Sequence, residues 1–192
     1  MIDKSILDRV EIPDFGSYTD PVEMALAFIE YVKQIERERG LTEEEIDAKY
    51  LCGSCEILAD GIVNLLKLYG KNAMKYPMEV DYLDKDGSIQ HNGKHVVVDI
   101  FEKVENNSQT PEKRRPGTIN LKYKIKHFGF VDILGPHTAE DLTIIKRQFY
   151  LSDKYRKIVE NLPQEDRDED IPLIAFYNLE NHLGEINASM KM

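Results

Sequence analysis

The sequence predicts an α+β fold, with helices first, then a run of strands, then helices again. Three observations predict it. Hydrophobic periodicity is helical up to Gly70, changes to two over residues 73–134, and becomes helical again beyond. Residues 56–69 are apolar on most sides, as in a helix buried at the centre of a domain. The strands follow one another instead of alternating with helices, which argues against a parallel βαβ sheet.

Residues 1–18 read as an irregular lead, whose Phe15 and Tyr18 suit a strap packed on a surface. Thr19 or Asp20 can cap the next helix, with Pro21 near its first position. Met24, Ala27, Phe28, Tyr31 and Val32 recur at helical spacing, and Gly40 ends the run. Thr42 and Glu45 form a capping box for a short helix to about Lys49. The apolar helix follows, from Cys55 to Gly70, with Asp60, Asn64 and Lys67 as its one narrow wet stripe. Cys55 aligns with Ala59 and Ile62, away from that stripe.

In the second half, residues 73–83 alternate imperfectly, and Pro77 marks an edge strand or a bulge. Asp86-Gly87 and Asn92-Gly93 are hairpin signals. Residues 95–101 (HVVVDIF) are the best strand of the chain. Residues 102–118 read as a polar loop, and residues 119–126 and 128–134 as strand ending at Gly135-Pro136. Residues 138–161 read as mostly helical. The acidic run 164–170 reads as a linker or exposed turn, residues 171–183 as a last packed helix or strand, and the tail from Gly184 as loose.

Composition narrows the function classes. The 192 residues carry a net charge of −10, which repels phosphate backbones, so nucleic acid and anionic membrane surfaces are not expected as partners. Residues 1–18 hold no apolar h-region, so a signal peptide is not expected, and no stretch approaches the ~18 apolar residues of a membrane helix. A cytoplasmic protein is expected. Two cysteines, three residues apart, are not a disulfide framework.

Cys52 and Cys55 admit four readings. Both could be small buried hydrophobes. Cys-Gly-Ser-Cys could be a thioredoxin-like redox motif, although residues 42–49 read as helix where that motif needs a strand. Cys52 and Cys55 with His91 and His95 could hold zinc, as two thiolates and two imidazoles. Finally, Cys55 could be a nucleophile, its thiol pKa lowered by the helix N-terminus. That chemistry needs a base and an orienting group. His95 opens the best strand, and Asp132 sits in the apolar run Phe130-Val131-Asp132-Ile133-Leu134, where a carboxylate needs a partner. Neighbouring strands run ~4.8 Å apart, so the two can bond directly. Asp99 shares the His95 face but lies about 13 Å along it, which is too far. Taken alone, Asp132 would be a carboxylate capping the turn at Gly135.

These residues resemble the transglutaminase-like branch of the papain-like cysteine enzymes. The resemblance rests on Gly53 two before Cys55, Ala59 one turn on, Leu65-Leu66, and Gly70 ending the helix. His95-Val96-Val97-Val98 then matches the strand opened by the family's histidine, and Asp132 matches the aspartate of the strand after it. The similarity covers about residues 50–135. Val97 stands where many members have an aromatic residue, and the stretch from His95 to Asp132 is longer than usual.

The resemblance implies a papain/transglutaminase-like core, with the Cys-bearing helix packed on an antiparallel sheet and extra helices flanking it. Residues 1–163 would form one catalytic domain, with 164–192 packed on it. Cys55 would be the nucleophile, His95 the base and acid, and Asp132 the orienting group of a thiol hydrolase or transferase working through a thioester. A protease, amidase or deamidase of bacterial or phage type fits, acting on a protein or peptide and needing no cofactor or metal. The alternatives are a non-catalytic binding module on the same fold and a zinc or redox protein. Cys52 could switch the enzyme off by a reversible disulfide with Cys55.

Four further histidines complete the candidates. His91 reads as an exposed turn residue, His127 as a second candidate base, His137 as a cap of the next helix, and His182 has no pattern. Lys113, Arg114, Arg115, Lys122, Lys124 and Lys126 form the one basic strip, a solvated face or a dock for an acidic protein.

Overall fold

The lead is anchored by one aromatic side chain. Asp14 accepts the Gly16 N–H at 3.1 Å and turns the chain into a 3₁₀ turn, Phe15–Ser17. This drives Phe15 inward, where its ring centre lies 6.2 Å from that of Phe28 and 6.5 Å from that of Tyr69. The computed structural model describes residues 4–83, 89–105, 123–138, 140 and 152–189. The lead also contains a short helix, α1 (Lys4–Leu7), where irregular chain was expected.

Asp20 caps α2 (Pro21–Glu38) by accepting the Val22 N–H at 2.8 Å. The helix buries Met24, Phe28, Tyr31, Val32 and Ile35, and ends at Gly40, whose φ of +96° suits glycine. The capping box forms as expected and starts α3 (Glu43–Cys52). This helix runs three residues past Lys49, because Tyr50 and Leu51 are buried by tertiary packing. Tyr50 donates its hydroxyl to Glu36 at 2.6 Å, and the Lys49 ammonium lies 2.9 Å from the same oxygen.

After Gly53 and Ser54 the chain enters α4 (Cys55–Leu68). Leu58, Ala59, Ile62, Leu65 and Leu66 are buried; Leu68 is exposed despite its place in the apolar run. β strands, α2 and the C-terminal helix all pack against α4. Asp60, on the expected wet stripe, is paired with Lys75, which also holds Glu56.

Four strands form one antiparallel sheet in the order β1-β2-β3-β4: β1 (Asn72–Leu83), β2 (Ile89–Glu105), β3 (Tyr123–Asp132) and β4 (Gly135–His137). Pro77 lies on β1, an edge strand, where its missing N–H costs no ladder bond. Three expectations need correction. Asn92-Gly93 is not a hairpin turn; both residues pair with β1 inside β2. Residues 102–105 are strand, paired with β3, so the expected loop starts later. Gly135-Pro136 does not end the sheet. Ile133 and Leu134 turn the chain back, and Gly135, at φ +120°, opens β4. Asp86-Gly87 and most of the expected loop lie outside the described residues.

From residue 152 on, the described residues form three helices: α5 (Ser152–Asn161), α6 (Gln164–Asp168) and α7 (Ile171–Ser189); residues 139 and 141–151 of the expected helical stretch lie outside the described residues. The acidic run is not merely a solvated turn. It forms α6, and Asp166 and Glu169 both clasp the buried Arg39 guanidinium, at 2.7 and 2.8 Å. Nor does structure stop at Gly184, since α7 continues to Ser189. Asn178 of α7 donates to Tyr31 of α2 at 3.0 Å. Gly61 of α4 makes room for both neighbours: a Cβ there would stand 2.9 Å from Phe28 and 3.0 Å from Pro172. Among the described residues the fold is α+β, with seven α-helices and one four-stranded antiparallel sheet. No helix of the described residues is long and apolar enough to cross a membrane.

Candidate active site

Three parts of the fold meet at Cys55. The turn at Gly53-Ser54 separates two helices and places Cys55 as the first residue of α4. Ser54 is buried, and its side chain makes no capping bond. The first-turn N–H groups of α4 have no intrahelical acceptors and face the start of the helix. β2 carries His95, which is fully buried. β3 carries Asp132, on the same face: Asp99 lies opposite Phe130, and His95 and Asp132 are even steps from these.

His95 Nε2 lies 3.0 Å from Asp132 Oδ2. Cys55 and His95 lie close enough for each to shift the other's titration. The backbone N–H groups of Val96 and Glu56 also point at the sulfur. The structure therefore brings Cys55, His95 and Asp132 together, with His95 and Asp132 hydrogen-bonded and Cys55 beside His95.

Electrostatics follow from these contacts. Burial pushes the Cys55 thiol up, but the His95 bond and charge, with the two backbone N–H groups, outweigh it and bring it below the ordinary thiol value. Burial pushes His95 down, yet Asp132 and the Cys55 thiolate raise it to about 9. Burial raises Asp132, and bonds from His137 and then His95 bring it down to about 2. Each shift therefore moves its group toward its charged form: thiolate, imidazolium and carboxylate.

Cys52 is the opposite case. It ends α3, half-buried, and burial followed by the neighbouring Cys55 charge pushes it up to about 11. The segment leading into Cys52 is helix α3, whereas a thioredoxin-like motif needs a strand there. Among the described residues no three His, Cys, Asp or Glu side chains gather as metal ligands.

His127 Nδ1 bonds Asp99 at 2.8 Å, so the second candidate base and the competing carboxylate pair with each other. His91 lies in β2 opposite Tyr82 instead of in a turn. His182 lies on the exposed part of α7. Lys124 and Lys126 are exposed on β3, and the rest of the basic strip lies outside the described residues. The sequence reading missed one contact. His137 is on β4, and its Nε2 lies 2.8 Å from Asp132 Oδ1; the start of the helix it was expected to cap lies outside the described residues. The signal was the short span Asp132 to His137 around Gly135, which a two-residue turn folds back on itself.

Comparison with protein-family models, curated proteins and solved structures returns no match.

Proposed function

We propose that this protein is a cysteine-nucleophile acyl hydrolase or transferase on a papain/transglutaminase-like core. The observation that supports this best is the chain of contacts from the Cys55 thiol through His95 to Asp132, with the thiol lowered and the imidazole raised. Both shifts favour the ion pair in which sulfur is a nucleophile at neutral pH.

In this reading Cys55 Sγ attacks a carbonyl carbon. The C–S bond forms as the carbonyl π pair moves to oxygen, and N–H groups at the start of α4 donate hydrogen bonds to the developing charge. His95 gives its proton to the leaving amine as the C–N bond breaks, leaving a thioester. Neutral His95 then takes a proton from water, which attacks the thioester and releases a carboxylic acid and the thiolate. An amine in place of water completes a transfer instead. Asp132 keeps the His95 ring in the tautomer with hydrogen on Nε2 and stabilises the imidazolium. A protein or peptide amide is the proposed substrate.

Iodoacetamide titration from pH 5 to 10, with the product mapped by mass spectrometry, tests this. Selective labelling of Cys55 below pH 7, slowed in His95→Ala, is expected. Labelling of Cys55 with the pH dependence of a free thiol, pKa ~8.5, would overturn the proposal.

A further inference from the structure

Asp132 makes more hydrogen bonds than orienting one histidine requires. Its Oδ2 serves His95 at 3.0 Å, while its Oδ1 accepts both the Leu134 N–H and His137 Nε2, each at 2.8 Å. Leu134 is a local turn bond of a strand-end carboxylate. His137 is different, since it comes from another strand and brings a ring to a buried carboxylate. Register places it there: His137 lies opposite Phe130, on the face that Phe130 and Asp132 share. Its side chain is only 12% exposed. The charged or titratable groups facing Asp132 are His95 from β2 and His137 from β4, with Cys55 of α4 reached through His95. Asp99 and His127 pair with each other farther along the same face.

We propose that His137 is a positioning residue, which locks the Asp132 carboxylate so that Oδ2 alone addresses His95. The proposal rests on the reading of Cys55 and His95 as a reactive pair. Two donors fill Oδ1, one from the turn and one from His137. Rotation of the carboxylate about χ2 then breaks three hydrogen bonds at once, in a site with little water to replace them. A neutral His137 with its hydrogen on Nε2 and an imidazolium both supply the required donor, so the lock does not depend on His137 titrating. Without it, the carboxylate keeps one donor on Oδ1 and swings more freely. His95 is then aligned for less of the time, and the thiolate loses part of its partner.

The test measures the apparent pKa of Cys55 by iodoacetamide rate against pH in the full chain, for wild type and for His137→Leu, His137→Gln and His137→Asn. Leucine keeps the site dry but removes the donor. Glutamine can place an amide N–H near the position of Nε2, and asparagine is one methylene too short. His137→Leu is expected to raise the Cys55 value by about one unit, so that alkylation on the acid limb slows about tenfold. His137→Gln is expected to restore most of it and His137→Asn little. If leucine prevents folding, the glutamine–asparagine comparison decides alone. Leucine and asparagine variants that titrate like wild type would overturn the proposal, provided His95→Ala still shifts Cys55. A wild-type Cys55 that titrates as an ordinary thiol, indifferent to His95→Ala, would overturn the proposed function and this inference together.

Discussion

His95 and Asp132, 37 residues apart in sequence, meet at 3.0 Å across neighbouring strands, both nearly sealed from solvent. A carboxylate so placed is the main reason that the buried imidazole holds its proton to about pH 9 instead of losing it early. Alkylation of Cys55 should then begin below the ordinary thiol range, as the lowered thiol ionises, while His95 loses its proton only near pH 9. Asp132→Asn removes the charge that raises His95. His95 should titrate lower, the acid limb of Cys55 alkylation should move up, and the alkylation rate at neutral pH should fall about tenfold or more. Alkylation profiles and NMR titration of the His95 ring in the two proteins check this. An unchanged His95 titration would exclude Asp132 as the source of the shift.

The same carboxylate should shape acid stability. Asp132 is held down to about 2 in the folded state, against about 3.8 unfolded. A depressed folded value contributes stability that is present above the unfolded value and is lost as pH falls through the folded one. The contribution is about 2 kcal/mol, all of it present above pH 5 and gone below pH 2. Urea unfolding between pH 6 and 2 should therefore show a slope that Asp132→Asn flattens.

Oxidation should separate the two thiols. Cys55, lowered, is the one that peroxide attacks, giving a sulfenic acid and water. Cys52, pushed up to about 11, stays a thiol and can condense with it, forming a disulfide and a second water. Peroxide-treated wild type should regain Cys55 alkylation on reduction with dithiothreitol. Cys52→Ser should instead lose it progressively to the sulfinic acid, seen as a mass gain of two oxygens at Cys55.

Part of this architecture is readable from residue pattern and part is not. Period two around His95 and Asp132, and the glycine-flanked start of α4, are local signals, and they suffice to nominate the residues that meet. His137 was invisible because its role depends on a turn that brings positions five apart onto one face. The acidic run 164–170 resembles a solvated segment in any charge pattern. Only the fold reveals that Arg39, 127 residues before Asp166, is buried against it. Likewise α3 outran its apparent end because Tyr50 found Glu36 on another helix.

That buried cluster has a measurable consequence. Arg39 is 7% exposed and joins Glu36, Asp166 and Glu169, while Lys49 and Tyr50 complete the shell of Glu36. Arg39→Met leaves three carboxylates without their shared cation, and breaking a buried pair costs about 3–5 kcal/mol. Arg9 bonds Glu38 at the surface, with both side chains about half exposed. Arg9→Met should cost less than about 1 kcal/mol and be masked by salt. Chemical denaturation of both variants at low and high salt distinguishes the two. A small loss in Arg39→Met would mean that the cluster relaxes or admits water.

Two glycines inside helices should respond oppositely to alanine. Helix propensity favours alanine over glycine by about 1 kcal/mol wherever the added methyl has room. At Gly184 of α7 nothing lies within 4 Å of the new Cβ, so Gly184→Ala should stabilise by about 0.5–1 kcal/mol. At Gly61 the Cβ would meet Phe28 at 2.9 Å and the side chain and carbonyl of Pro172 at 3.0 Å. Neither neighbour yields easily: Phe28 is fully buried, and Pro172 presents a rigid ring and backbone. Overpacking of this kind costs about 1–3 kcal/mol, which cancels or exceeds the propensity gain. Gly61→Ala should therefore lower stability by about 1 kcal/mol and loosen α2 and α7 from α4, as read by thermal unfolding and by hydrogen exchange in those helices. Stabilisation at Gly61 equal to that at Gly184 would mean that the three helices part at little cost, and that the close approach is not what holds α4 in place beneath Cys55.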